Sequence, residues 1–305
     1  MQQSEFCGIL LMDKPKGFTS HDVVAKLRGI LHTRRIGHGG TLDPLATGVL
    51  PVFVGGATKA ADFAAAQDKE YVAGFTLGFE TDTQDVTGEV LRRSGQTASR
   101  AQVEQAAARF LGAQQQVPPM YSAVKVNGQK LYDLARKGKE VERPARDIFV
   151  REMTLLDFDE TAQKGTLRLT VSKGTYVRTL VSDMGVSLGT LATMHSLTRT
   201  RAGAYPLEQC HSFDEVEQAA RDGTVPDLLL PVDGLFAEHP AVELTDEGAE
   251  RIARGAVVFP RQARGLPETA GTLCRIYHRG HFLMLGQVRT LDKGGVGLFV
   301  YKNFR

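Results

Sequence analysis

The sequence predicts an α+β fold: a mixed array of strands and helices over residues 1–234, then a smaller β-rich module over residues 235–305. Three observations carry this. Capped amphipathic stretches begin at Ser20, Ser99 and Ser212, alternating apolar residues mark a strand from Tyr71 to Phe79, and three short β-rich runs close the chain. A length of 305 residues suits one large domain with a small one attached.

The elements follow in order. Gly8–Met12 (GILLM) is too short to span a bilayer and reads as a buried strand. Ser20 is a good N-cap, and Val23, Val24, Leu27, Ile30 and Leu31 then keep helical spacing. Leu50–Val54 reads as a buried strand and Thr58–Ala66 as a short alanine-rich helix. From Tyr71 onward, Ala73, Phe75, Leu77 and Phe79 share one face of a strand. Ser99 caps a helix running through Leu111, with Val103, Ala106, Ala107 and Phe110 inward. Gln114–Asp147 then breaks the pattern. Its Pro118-Pro119 and Asn127-Gly128 pairs are turn signals, with a short helix at Leu131–Lys137, so it reads as an irregular basic insertion between core elements.

Strands resume at Ile148–Phe158 and Gly165–Val171. KGTYVRTL, from Lys173, runs off a strand edge into a helix bearing Val181 and Met184. Ser212 and Glu215 form a capping box for a helix through Arg221. Pro231–Gly234 (PVDG) marks a boundary, and Leu244–Gly255 reads as a helix capped by Thr245. The runs Gly271–Tyr277, His281–Arg289 and Val296–Tyr301 suit a small β-barrel-like module.

Composition narrows the class. Hydrophobic residues at 42% and charged residues at 24% are ordinary for a soluble globular protein. The three cysteines, Cys7, Cys210 and Cys274, form no CxxC pair, which argues against a zinc site or disulfide framework and fits a reducing cytoplasm. No apolar run is long enough to cross a bilayer, and the N-terminus lacks a signal-peptide pattern. A net charge of +2 does not announce a nucleic-acid binder; local charge is more suggestive. Lys125, Lys130, Arg136, Lys137, Lys139, Arg143, Arg146 and Arg151 face only Asp133, Glu140, Glu142 and Asp147 over one stretch. Lys26, Arg28, Arg34 and Arg35 cluster with His32 and His38 before a glycine-rich loop. Such runs are commonly solvated faces; their place beside that loop is what points to RNA.

The loop is Gly37–Leu50, GHGGTLDPLATGVL. Pro44 disfavours helix for Asp43, and Gly37, Gly39, Gly40 and Gly48 permit tight turns and close approach. Asp-Pro is also a structural helix start, but Gly48 arrives after barely one turn and a strand follows. A stiffly presented carboxylate is the better reading. Arg178 sits at a strand-to-helix junction; a surface arginine is the commoner case, yet near Asp43 it would lower the carboxylate pKa and hold it ionised as a nucleophile. Tyr71 reads as a core tyrosine or a ring offered to a base at a strand end. GGATK at Gly55–Lys59 lacks phosphate-loop spacing, TDTQD at Thr81–Asp85 lacks the calcium-loop pattern, the eight histidines form no HExxH, and no serine sits in GxSxG. What remains is an acid-only site without a metal.

GHGGTLDPLATG matches the G-H-x-G-x-L-D-P-x-A-x-G motif and resembles the bacterial tRNA pseudouridine-55 synthases. KPKGFTS at Lys14–Ser20, KEYV around Tyr71, TDTQDVTG, PPMYSAVKVNGQKLYDLARKG and KGTYVRTL resemble further blocks of that family, in order, through about Gly234. The tail is similar to the small RNA-binding PUA fold shared with archaeosine transglycosylases. The resemblance implies a catalytic fold with a central mixed, mostly antiparallel sheet flanked by helices, and a cytoplasmic isomerase that needs no cofactor, metal or protein partner. Its partner would be the T-arm stem-loop of tRNA, and monomer is the expected state.

It also implies roles. Asp43 would attack the sugar C1′ or the pyrimidine ring, or help expel the base. Arg178 would orient it, and Tyr71 would stack on the flipped uracil. Leu197 would wall the pocket. His38 would fill the space that the base leaves. Gly39, Asp85, Tyr176, Lys14 and Lys59 would be substrate-binding, and Lys125, Lys130, Arg136 and Lys137 would contact the RNA backbone from a thumb-like insertion that orders on binding. The family often has Leu-Arg-Arg-Thr-Arg where this chain has Leu197-Thr198-Arg199-Thr200-Arg201, so one phosphate contact is in doubt. Two alternatives stand beside this reading: a guide-RNA-dependent relative, which would lack the insertion, and a non-catalytic tRNA-binding protein or RNA chaperone.

Overall fold

In the computed structural model, which describes residues 6–126, 128–292 and 294–304, the chain opens with β1 (Gly8–Lys14), α1 (Ser20–Ile30), β2 (Ile36–His38) and β3 (Thr47–Val54). β1 and β3 pair antiparallel from Gly8↔Val54 to Lys14↔Gly48. Leu10, Met12, Leu50 and Val52 pack to one side with Val23, Val24 and Leu27 of α1, while Ile9, Leu11, Val49 and Phe53 pack to the other. Burial on both faces explains why these strands read as unbroken apolar runs. The cap of α1 is Thr19, not Ser20. Thr19 accepts from the Asp22 N–H while Asp22 accepts from the Thr19 N–H, and this reciprocal box settles the start one residue earlier.

The expected helix at Thr58–Ala66 is split into a 3-10 turn at Gly55–Ala60 and α2 (Ala61–Ala66). β4 (Lys69–Leu77) then stops at Gly78, whose φ of 103° breaks the strand, so Phe79 belongs to β5 (Phe79–Thr81), paired with β6 (Val90–Arg93). Ser99 caps α3 (Arg100–Ala108) with Gln102 completing the box, but the helix ends short of Leu111.

β7 (Gly112–Gln116) corrects the insertion's start. Inside the insertion lie β8 (Lys125–Val126), β9 (Gln129–Lys130) and α4 (Leu131–Ala135), and β10 (Arg146–Asp159) follows it. Gln114, Gln115 and Gln116 pair with Ile148, Asp147 and Arg146, so both ends of Gln114–Asp147 are sheet and the excursion spans 117–145. Most of it is irregular, as expected, and it holds the expected short helix, α4. β8 and β9 pair antiparallel, and α4 buries its own Leu131 and Leu134. Asn127 of the expected Asn-Gly turn lies outside the described residues.

β11 (Lys164–Val171), α5 (Val177–Ser187), β12 (Ala192–Ala202), β13 (Tyr205–Pro206) and α6 (Phe213–Asp222) complete this part. α6 has the expected Ser212–Glu215 box. The sheet order is β1-β3-β12-β4-β11-β10-β7, with β2 on β3 and β13 on β12. The pairing is antiparallel except where β12 meets β3, at Thr198↔Thr47 and Arg199↔Gly48. A mixed, mostly antiparallel sheet flanked by helices is therefore observed, as expected. Its single parallel seam sits at the foot of the Asp43 loop.

The chain ends in β14 (Ala241–Leu244), α7 (Asp246–Ala253), β15 (Ala263–Arg264), β16 (Leu273–His278), β17 (His281–Thr290) and β18 (Val296–Asn303). They form a five-stranded sheet in the order β15-β14-β16-β17-β18. This agrees with the barrel-like expectation without full closure: among the described residues β15 and β18 do not pair with each other, but Val258, ahead of β15, and Leu298 of β18 exchange backbone hydrogen bonds of 3.0 and 2.8 Å. The residues around PVDG are partly core. Leu235 and Phe236 are buried with Leu285 and Phe304, and the Tyr277 hydroxyl donates to Asp233 at 2.7 Å.

Candidate active site

The loop between β2 and β3 is held at every turn. The Ala46 N–H donates to the Asp43 carbonyl at 3.0 Å, closing a turn with Asp first and Pro44 second, the places these residues favour. Leu42, Leu45 and Ala46 are buried in one cluster with Tyr71, Ala73 and Leu197. Ser20, released from capping, accepts from the Leu42 N–H at 2.8 Å, and the Gly17 N–H donates to the Pro44 carbonyl at 2.8 Å. From below, the enclosed Arg199 donates to the Val49 carbonyl at 2.6 Å and the Gly40 carbonyl at 3.3 Å. Asp43 is thus presented on a clamped loop.

Gly48 makes the seam possible. Its φ is +96°, and a Cβ there would stand 2.3 Å from the Arg199 carbonyl oxygen. Overpacking against backbone and the left-handed conformation together predict that Gly48→Ala costs about 2–5 kcal/mol. Urea unfolding checks this; an unchanged midpoint would show that the seam has slack.

Arg178, in the first turn of α5, points at the loop. Its Nε lies 3.4 Å from Asp43 Oδ2, near enough for an ion pair but without hydrogen-bond alignment. Its other nitrogens donate to the Thr83 carbonyl at 3.3 Å and the Tyr121 carbonyl at 2.5 Å. The Arg178 side chain is 5% exposed and that of Asp43 34%, so the carboxylate alone faces the opening.

Burial is the largest influence on Asp43 and raises its pKa; Arg178 pulls it down, Asp85 pushes it up, and Lys14 pulls it down. The expected lowering by Arg178 is present but does not win. Lys14 is brought down to about 8, first by burial, and Lys69 likewise to about 8, again first by burial. His38 is lowered by burial, then by Arg199 and His21, which favours a neutral ring.

A buried arginine thus pairs with a loop-held carboxylate beside a mixed sheet. Residues 28–177 match the model of the TruB family pseudouridylate synthase N-terminal domain, and residues 178–237 that of the tRNA pseudouridylate synthase B C-terminal domain. A tRNA pseudouridine synthase B of Bacillus cytotoxicus is 48% identical over 254 residues, covering 81% of this chain and 83% of its own. The chain belongs to the TruB family of pseudouridine synthases. The namesake from Lactiplantibacillus plantarum is 42% identical over 289 residues, covering 92% of this chain and 94% of its own. Among solved structures, a chain from a Cbf5-Nop10-Gar1 complex superposes with a TM-score of 0.74 at 27% identity, covering 99% of this chain and 85% of that one.

Within this TruB-family chain the expected residues are placed unequally. Tyr71 on β4 pairs in register with Arg199, which pairs on its other side with Gly48, so Tyr71 and the loop flank the same residue. Tyr71 is 8% exposed and Leu197 7%, in the cluster that lines the loop. Tyr176 is half-buried, its ring 5.7 Å from the Arg178 guanidinium. His38 ends β2, with a buried Nδ1 that has no hydrogen-bond partner among the described residues. Gly39 is enclosed, with Ala64 and Phe53 each 2.8 Å from where a Cβ would stand, so its lack of a side chain serves packing.

Two positions, Lys14 and Asp85, are enclosed rather than on an open surface. Lys14 is fully buried and donates to the Pro15 and Phe18 carbonyls at 3.0 and 2.6 Å, which places it beneath the loop. Asp85 is 4% exposed, and its carboxylate accepts from Thr83 and from the Thr87 N–H, both at 2.9 Å, within its own turn. Lys59 is exposed on the 3-10 turn Gly55–Ala60. On the insertion, Lys125, Arg136 and Lys137 are exposed, while Lys130 donates to the Tyr132 hydroxyl at 2.9 Å.

Several participants escaped sequence reasoning. Arg199 looked like one of a run of cations but holds the loop's backbone. Thr198, read only as a lost cation, has its hydroxyl 3.0 Å from that of Thr47 and ties the parallel seam. Gln116 and Tyr121 carried no signal beyond their place in the insertion. A buried-type arginine on an alternating strand was the only available hint for Arg199.

Proposed function

We propose that this TruB-family chain converts the uridine at position 55 in the tRNA T-loop to pseudouridine, acting alone, without guide RNA, cofactor or metal. The observation that carries the proposal is the Asp43 carboxylate, on its clamped loop, 3.4 Å from an enclosed arginine. The reaction breaks the N1–C1′ bond and forms a C5–C1′ bond; the C5 proton leaves to solvent and N1 takes one up. Nothing is oxidised, reduced or hydrolysed. Asp43 supports that exchange as nucleophile toward C1′ or the ring, or as the group that helps eliminate the base. Tyr71 and Leu197 supply an apolar face against the uracil and exclude water from the cleaved intermediate.

The target base lies inside a folded loop, so it is extruded at a cost of roughly a few kcal/mol. A neutral, half-buried His38 fits the space it vacates. The insertion grips the stem as a thumb, with Lys125, Lys130, Arg136 and Lys137 on phosphates. Residues 1–234 act as the catalytic unit and 235–305 as a PUA-like RNA-binding unit on the acceptor-stem side. The enzyme works as a cytoplasmic monomer. The insertion supports stand-alone action, and an intact Asp43–Arg178 pair weighs against a purely binding protein or chaperone.

The test uses purified protein alone with a T-arm transcript carrying tritium at uridine C5. Release approaching one equivalent per RNA is expected; no release overturns the proposal. Neutralising Lys125, Lys130 and Lys137 together is expected to weaken RNA binding and flatten its salt dependence by up to about three in slope, as fewer counterions are released. An unchanged slope would make that basic run a solvated face.

A further inference from the structure

Residue 121 links the insertion to the reacting pair. The Tyr121 carbonyl accepts from Arg178 Nη2, and its hydroxyl donates to Asp82 Oδ2 at 2.9 Å. Arg178 Nη1 reaches the Thr83 carbonyl, one residue on from Asp82. These contacts close a triangle of Arg178, Tyr121 and the turn at 82–83. A second fastening lies next to it. Gln116, 3% exposed, accepts from the Tyr176 N–H at 2.8 Å and donates to the Tyr176 carbonyl at 3.1 Å, two residues before Arg178.

The same root carries the basic part of the insertion. The Tyr132 N–H donates to the Ser122 carbonyl at 3.1 Å and the Leu131 N–H to the Val124 carbonyl at 2.8 Å, so α4 hangs directly on the residues after Tyr121. Lys130 and Arg136, both against the Tyr132 ring, are therefore joined through a few hydrogen bonds to the guanidinium that faces Asp43.

We propose that Tyr121 is a positioning residue for Arg178, holding the guanidinium against Asp43 and tying that placement to the insertion that grips RNA. The inference deepens the reading of the site as a pseudouridine synthase centre and rests on it for its effect on turnover. Asp82 is the partner that makes the hydroxyl matter: it favours the protonated phenol, which keeps Tyr121 a donor. Without that bond Tyr121 itself holds Arg178 only through its backbone carbonyl, so the guanidinium is less firmly set against Asp43. Asp43 is otherwise faced by the charges of Asp85 and Lys14, which the change leaves in place.

Tyr121→Phe removes the hydroxyl and keeps ring and carbonyl. Two readouts separate the inference from the reading beneath it. In the RNA-free protein, the Asp43 carboxyl carbon is titrated by 13C NMR; Tyr121→Phe is expected to move its midpoint to higher pH than in wild type, because Arg178 pulls the pKa down less. In single-turnover tritium release at saturating RNA, the rate is expected to fall roughly ten-fold with RNA affinity unchanged. Adding Asp82→Asn to Tyr121→Phe should slow it little further, since both act on one bond. An unmoved Asp43 midpoint overturns the inference whatever the turnover shows, as does a loss confined to RNA affinity. Wild type failing to release tritium while the midpoint moves would sink the proposed reaction and leave the positioning role standing.

Discussion

Asp43→Asn is expected to reduce single-turnover pseudouridine formation by at least about 10⁴-fold, the scale seen when a reacting side chain is removed from a unit that acts together. The substitution keeps the size and shape of the side chain. The loop should keep its conformation, because the bonds that clamp it come from Ser20, Gly17, Arg199 and the loop backbone, not from the carboxylate. RNA affinity should therefore stay within a few-fold of wild type, measured by filter binding beside tritium release. Residual release near the wild-type rate would remove Asp43 from the chemistry.

The second large effect is expected at Arg178. Lysine keeps the charge but not the planar fork that reaches Asp43, Thr83 and Tyr121 together. Arg178→Lys is expected to cost about 10²–10³-fold in single-turnover rate, as for removal of one preorganised electrostatic contact. It also has a pH signature. In the proposed reaction the carboxylate acts ionised, so the rate is expected to fall as pH drops through the Asp43 pKa in the folded protein. Burial raises that pKa, placing the acid limb above the ordinary carboxylate range. Arg178 opposes the rise, so weakening its contact moves the limb to still higher pH. A pH–rate profile from about pH 4 to 9 checks this, and a limb that stays in place would show that Arg178 acts on something other than the Asp43 charge.

What the sequence made legible was local. The boxes at Ser99–Gln102 and Ser212–Glu215 span three residues, and both were readable; at Ser20 the same logic missed by one residue because Thr19–Asp22 competes. The Asp43 loop stood out because proline and glycine restrict the backbone where they stand. Arg199 did not, because its partner Val49 is 150 residues away and presents only a carbonyl, which no side-chain pattern can advertise. The insertion's edges were misplaced for a related reason. Gln114–Gln116 has no apolar alternation, yet it pairs as an edge strand with β10, so backbone bonding rather than side-chain character fixes it there. The terminal module shows the same limit: its strands were readable, while their closure into a barrel or an open sheet depends on pairings far apart in sequence.

The structure of the protein bound to a T-arm RNA carrying 5-fluorouridine at the target position would show whether Asp43 meets the flipped nucleotide. The target nucleotide is expected outside its stack, its C1′ and pyrimidine ring within reach of the Asp43 oxygens, Arg178 still paired with Asp43, and His38 in the vacated space. A target base left stacked in the loop, or Asp43 turned from the sugar and ring toward a phosphate, would contradict it.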